Sequence, residues 1–307
     1  VIKRQSVLFG KGSADLYRSK ASSQKNPTAG KEQPDRIKGK PNMKRRALLQ
    51  TSILLPLTLI ASNPAFASAK RLRIGVTSGP HADILRAALP VAKKNGLDIK
   101  IVEFQDYVSP NEALAAGDLD ANIFQTESYL GLMNKQRRYG LVPVGRTITL
   151  PLAFYSNRYK SFNQVPQGAR VGIPNDPSSE GRALYALQDA GIIKLRPSAG
   201  REGSPLDVIS NPKKLKFVEL DPAQTARSLP DLDVSAVNGN YAFLAGIMGS
   251  GKAILYEKPA SLYINHIVVR EKDRNAAWVK PLVKSYQDAS VRDYIRKTYH
   301  GGVVANF

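Results

Sequence analysis

At 307 residues with 42% hydrophobic and 23% charged residues, the composition is globular, not fibrous or largely disordered, and the length suffices for two lobes of about 100 to 150 residues each. The formal net charge is +20, but residues 1–67 hold 13 of the 45 Lys and Arg against 3 of the 25 Asp and Glu, and the later basic residues are interspersed with acids without an aromatic-interleaved basic run, which argues against nucleic-acid binding. Cysteine is absent, which excludes disulfides, zinc-thiolate sites, a catalytic thiol and a lipidated cysteine within this sequence.

In chain order, residues 1–42 are polar, basic and aperiodic, a composition expected to be disordered, and they precede what reads as a complete export signal. Met43 is followed by Lys44, Arg45 and Arg46, the apolar run 47–61 and the small-residue site Ala65-Phe66-Ala67. This is the pattern of a signal peptide over 43–67, and the run is too short and broken to span a bilayer. The mature product is therefore expected to be exported and, lacking a cysteine to carry lipid, soluble.

From Arg71 the pattern alternates β-branched runs with amphipathic stretches, which predicts βαβ units and a mainly parallel sheet. Strands are expected over 71–76, 98–104, 119–124, 142–148 and 152–156, with helices over 84–94 and after a Ser109-Pro110-Asn111-Glu112 capping box. A second set follows: strand 170–173, helix 180–190, strand 215–220, helix 222–229, strand 234–238 and helix 241–248. A last strand, 264–269, precedes C-terminal helices. The expected architecture is α/β with two lobes around a cleft, lobe 1 comprising 68–157 with 256–307 and lobe 2 comprising 158–255.

Several motifs fail as chemistry. Gly246 to Lys252 fits the start of a phosphate-binding loop, but Ala253 stands where the magnesium-binding hydroxyl belongs and the run follows a helix pattern, so it reads as a turn. His81, His266 and His300 lack metal-ligand spacing, and there is no nucleophile elbow, so neither a metal nor a cofactor is expected. More informative is 173–184, where a strand ends in turn residues and opens a helix with Arg182 in its first turn: amide donors at the helix start and a guanidinium fork both suit a carboxylate, while the spacing alone fits an ordinary capped helix with a surface arginine better. Asn238, at the end of the strand 234–238, offers an amide in the same kind of place. Tyr107, Phe124 and Tyr129 each fall at or just after a strand end and would form apolar walls suited to a flexible, uncharged side chain such as a thioether.

The segments Ile74-Gly75-Val76-Thr77-Ser78-Gly79-Pro80-His81, Asp106-Tyr107-Val108-Ser109-Pro110-Asn111, Gly117-Asp118-Leu119-Asp120-Ala121-Asn122, 173–184 and Val237-Asn238-Gly239-Asn240-Tyr241, with the Gly-Gly-Val-Val-Ala-Asn-Phe tail, resemble the motifs of the methionine-binding NlpA/MetQ family. The resemblance runs from about Arg71 to Phe307. It implies a periplasmic binding protein fold of the two-lobed, double-crossover type II, and a non-enzymatic, monomeric protein. Its role would be to capture D- or L-methionine, or a close relative, and deliver it to an inner-membrane ABC permease driven by a separate ATPase. By the same resemblance Arg182 would clamp the ligand carboxylate, Asn238 would hold its polar end, and Tyr107, Phe124 and Tyr129 would line the side-chain pocket. The chain departs from the family where Thr126 replaces the usual histidine after Phe124-Gln125, which leaves a pocket retuned to another apolar amino acid as an alternative. An exported enzyme using Asp176 and Glu180 on the same scaffold is a second alternative.

Overall fold

The computed structural model describes residues 71–307; the expected leader, 1–42, and signal peptide, 43–67, lie outside the described residues. The chain runs β1 (Leu72–Thr77), α1 (Pro80–Lys94), β2 (Ile99–Phe104), α2 (Ser109–Ala116), β3 (Ala121–Thr126), α3 (Glu127–Arg137), β4 (Leu141–Arg146) and the short β5 (Ile148–Thr149). It then crosses to β6 (Ala153–Tyr155), β7 (Arg170–Pro174), α4 (Pro177–Asp189), β8 (Lys194–Leu195), β9 (Val208–Ser210), β10 (Lys216–Leu220), β11 (Val234–Val237), α5 (Gly239–Leu244) and β12 (Ala253–Tyr256). It crosses back to β13 (Asn265–Arg270), α6 (Val279–Tyr286), α7 (Ala289–Tyr299) and β14 (Val304–Ala305).

Two five-stranded sheets result, ordered β2-β1-β3-β13-β4 and β10-β7-β11-β6-β12. In the first, β1 runs parallel to β2 and β3, with Leu72 opposite Ile99 and Ile74 opposite Ala121, while β13 is antiparallel to β3 and β4. In the second, β7 runs parallel to β10 and β11, while β6 is antiparallel to β11 and β12. The sheets are built alike: in each, the antiparallel strand fourth in the order is the first strand after a crossing. This is the two-lobed, double-crossover arrangement.

The central strands are buried because helices cover both faces of a largely parallel sheet. All six residues of β3 are buried. On α1 the buried Ile84, Leu85, Ala88 and Ala92 recur at helical spacing and pack with Leu282, Tyr286, Val291 and Ile295 of α6 and α7 beneath the first sheet. The second core gathers Val171, Ile173, Leu184, Leu187 and Val234 around Phe154, whose ring meets Phe162 edge-on at 5.5 Å.

Three local expectations are corrected. The strand near 152–156, expected in lobe 1, pairs with β11 and β12 in the second sheet, and β12, unexpected from the sequence, joins it there. Strand propensity is the same in either sheet, and the non-local pairing decides membership. The helix expected over 222–229 is a single 3-10 turn, Pro222–Gln224. There Thr225 Oγ1 donates to the Pro222 carbonyl and Ser235 Oγ donates to the Thr225 carbonyl, taking acceptors a helix would use. No capping box forms at Ser109. Asp106 Oδ1 instead accepts the Val108 and Ser109 amides, both at 2.7 Å. The run 246–252 is a turn, as expected, with Gly246, Gly249 and Gly251 at φ of 66°, 73° and 75°.

Two expectations follow from α4. A Cβ on Gly181 would lie 2.1 Å from the Arg201 carbonyl oxygen, a backbone atom that cannot swing away. Gly181→Ala should therefore cost on the order of 2 kcal/mol or more in urea unfolding, and an unchanged midpoint would contradict this packing. Burial, with the nearby carboxylates of Glu219, Asp176 and Asp207, pushes the Glu180 carboxyl from its ordinary 4.5 up to about 7. The folded state then holds that proton more tightly than the unfolded chain, so Glu180's contribution is complete below its ordinary value and is lost as pH rises through about 7. Glu180→Gln abolishes this loss, so its melting temperature relative to wild type should rise between about pH 5 and about pH 8. A difference independent of pH would contradict the assignment.

Candidate ligand-binding site

The ends of the central strands of both sheets face one small cavity of about 40 Å³. From the first lobe, His81 sits at the start of α1, Tyr107 in the loop after β2, Phe124 to Thr126 at the end of β3, and Tyr129 in the first turn of α3. From the second come Ser178, Ser179 and Arg182 at the start of α4, and Asn238 to Asn240 at the start of α5. All five residues singled out from the sequence, Arg182, Asn238, Tyr107, Phe124 and Tyr129, line this cavity.

The aromatic side is a triangle. Ring centroids lie 6.1 Å apart for Tyr107–Phe124, 6.0 Å for Tyr107–Tyr129 and 6.1 Å for Phe124–Tyr129, with Tyr107 near-parallel to Phe124 and Tyr129 edge-on to both. These are favourable aromatic geometries. The Tyr129 hydroxyl donates to the Tyr107 carbonyl at 3.0 Å, which fixes the loop after β2 against α3. Thr126 serves as N-cap of α3, its Oγ1 accepting the Tyr129 amide at 3.2 Å, so the residue that departs from the family has a local structural role and also lines the cavity.

The polar side is carried by α4 and α5. Asp176 caps α4 through the Ser179 amide at 2.9 Å, with Pro177 at the helix start. Asn238 Nδ2 donates to Ser179 Oγ at 2.9 Å, joining the two helix starts. Among the described residues, Asn238 Oδ1 and Asn240 Nδ2 have no hydrogen-bond partner although both are buried. One is an acceptor and the other a donor, and unpaired buried polar atoms are costly unless a ligand satisfies them. Arg182 is buried, its guanidinium lying over the Tyr263 ring at 4.4 Å with Nε donating to Glu257 Oε2 at 2.9 Å and Nη2 to Glu257 Oε1. Burial works against the Arg182 charge, but the Glu257 carboxylate more than offsets it and holds the pKa above its ordinary value. Burial also pushes the His81 imidazole down to about 3, so that wall of the cavity is neutral.

Cross-lobe contacts complete the enclosure. Tyr107 Oη donates to Asn240 Oδ1, Tyr241 Oη donates to the Gln105 carbonyl at 3.0 Å, and Ser178 Oγ meets Ser128 Oγ at 3.3 Å. Gln125, which also lines the cavity, is fixed by a buried amide ring in which its Nε2 donates to Asn111 Oδ1 at 2.7 Å and Asn111 Nδ2 donates back to Gln125 Oε1 at 2.9 Å.

The sequence does not single out His81, Gln125, Asn240, Glu257 or Tyr263. Asn240 stands two residues beyond Asn238 and shares its strand-end signal, but Glu257 and Tyr263 are distant in sequence from Arg182 and carry no local pattern. The carboxylates of the enzyme alternative, Asp176 and Glu180, are not among the cavity-lining residues. No group of three His, Cys, Asp or Glu able to hold a metal ion occurs among the described residues. Donors, acceptors and an aromatic wall, without an activated nucleophile, make an arrangement suited to holding a small zwitterion.

The sequence pattern of the NlpA lipoprotein family matches residues 72–307. A protein of Yersinia pestis named D-methionine-binding lipoprotein MetQ is 39% identical over 267 residues, covering 86% of this chain and 98% of that protein. The Escherichia coli K12 protein of the same name is 42% identical over 236 residues, covering 76% and 87%. Among solved structures, a nutrient binding protein from Burkholderia cenocepacia bound to methionine is 46% identical with a TM-score of 0.75, covering 77% of this chain and 100% of that one. Matched over residues 72–307, the chain belongs to the NlpA lipoprotein family.

Proposed function

We propose that this chain is the substrate-binding component of an ABC importer. It captures methionine or a closely related amino acid between its lobes in the periplasm and hands it to an inner-membrane permease with a separate ATPase. The observation that carries this reading is the pairing, in one cavity, of an aromatic triangle with the polar edge of Arg182, Asn238 and Asn240. A methionine zwitterion has the same two-ended character. Arg182 and Asn240 Nδ2 would receive the carboxylate, Asn238 Oδ1 would accept from the ammonium, and Tyr107, Phe124 and Tyr129 would surround the thioether, whose sulfur contacts rings favourably. Lobe closure excludes water, which strengthens each of these polar contacts. Binding, not turnover, is the function.

The sheet membership supports lobes formed by 71–149 with 265–307 and by 153–256, joined by the two crossings. The lobes need no second copy to enclose the cavity, which fits a monomer. The relatives are named lipoproteins, whereas this sequence contains no cysteine.

Isothermal titration calorimetry of refolded, ligand-free protein against L-methionine, D-methionine and a panel of apolar amino acids tests the reading. One-to-one binding of methionine, weakened at least about 100-fold in Arg182→Ala, is expected, since removing one member of a buried charged contact strands the other. Binding of only another panel member would show a pocket retuned at Thr126, and silence toward the whole panel would contradict the proposal.

A further inference from the structure

Resting on the binding reading above, we infer that Glu257 is a positioning residue: it orients the Arg182 guanidinium so that the cavity discriminates ligands by their carboxylate. Glu257 directly follows β12, where the chain begins its second crossing. Its backbone amide donates to the Leu152 carbonyl at 3.1 Å, and its Oε1 accepts the Leu152 amide at 2.8 Å. The residue thereby ties the start of the second crossing to the end of the first.

From that anchored position both carboxylate oxygens take the Nε and Nη2 edge of Arg182, a fork-to-fork pairing with directional as well as electrostatic content. The Tyr263 ring, also on the second crossing, fixes the plane of the guanidinium from one face. The Leu150 carbonyl, on the first crossing, accepts weakly from Nη2 at 3.4 Å. Among the described residues no acceptor is bonded to Nη1. One edge of the guanidinium is thus spent on the hinge and the remaining donor is aimed by it.

Glu257 does not line the ligand cavity. It lines a separate cavity on the crossings, with Thr149, Pro151, Tyr263 and Asn306. Of its hydrogen-bond partners, Arg182 and Leu152, Arg182 is the one that lines the ligand cavity. A buried arginine has several rotatable bonds and would otherwise adopt more than one orientation, so losing this partner misaims the donor without removing the charge.

The experiment compares the free acid of the amino acid that wild type binds, methionine on the present reading, with its carboxamide. Calorimetry is run on wild type, Glu257→Gln, Arg182→Ala and the double variant. Glu257→Gln should weaken acid binding about tenfold while carboxamide binding changes less than about twofold. The double variant should bind the acid no more weakly than Arg182→Ala, because the two residues act as one unit. Thermal melts confirm folding of each variant; Glu257→Asp, which keeps the charge but shortens the reach, should show the same selective loss and serves where Glu257→Gln does not fold. An equal fall for acid and carboxamide, or no fall for either, overturns the assignment. Failure of wild type to bind any acid in the panel overturns the binding reading itself, and this inference with it.

Discussion

A buried guanidinium must be paired, and the pairing of Arg182 with Glu257 is the constraint around which the site is organised. Arg182 is 7% exposed, and an unpaired charge at that depth would be strongly destabilising. The partner that neutralises it comes from the second crossing, and the backbone that holds this partner comes from the first. The Arg182 end of the cavity is therefore built from the crossings as much as from either lobe. The pair is close to neutral as a unit, which suits a zwitterion better than a free anion.

The rest of the cavity follows from the topology. Because each sheet receives its fourth strand from beyond a crossing, the two central parallel trios present strand ends and helix starts to the same space. Helix starts leave amides and short polar side chains there, as in α4 and α5, and the first lobe contributes its rings. The hydroxyls of Tyr107 and Tyr241 reach across to Asn240 and to the Gln105 carbonyl, so the aromatic wall also fastens one lobe to the other. Closure and recognition share residues.

Much of this was legible in the sequence because it is local. Apolar periodicity marked α1 and the β-branched runs marked the central strands; spacing put Tyr107, Phe124, Asn238 and Arg182 at element ends, and the family resemblance, not the spacing, gave them to a ligand pocket. What was not legible is non-local. Ala153–Tyr155 reads as a strand, but only its pairing with β11 and β12 reveals which sheet it joins. Pro222 to Leu229 has helical spacing, yet Thr225 and Ser235 spend their hydroxyls on carbonyls a helix would need. Glu257 lies 75 residues from Arg182, and nothing in the local sequence around a glutamate announces that it will meet a buried arginine.

The contacts Tyr107–Asn240, Tyr241–Gln105 and Ser178–Ser128 join the two lobes across the cavity, and on the proposed function they would form as the lobes close on an amino acid. Small-angle X-ray scattering of the refolded, ligand-free protein before and after saturating methionine tests this most directly. The account predicts a more extended ligand-free particle whose radius of gyration falls on addition of methionine, and a smaller fall in Arg182→Ala. Scattering curves that superimpose with and without ligand, for a protein shown by calorimetry to be saturated, would contradict it.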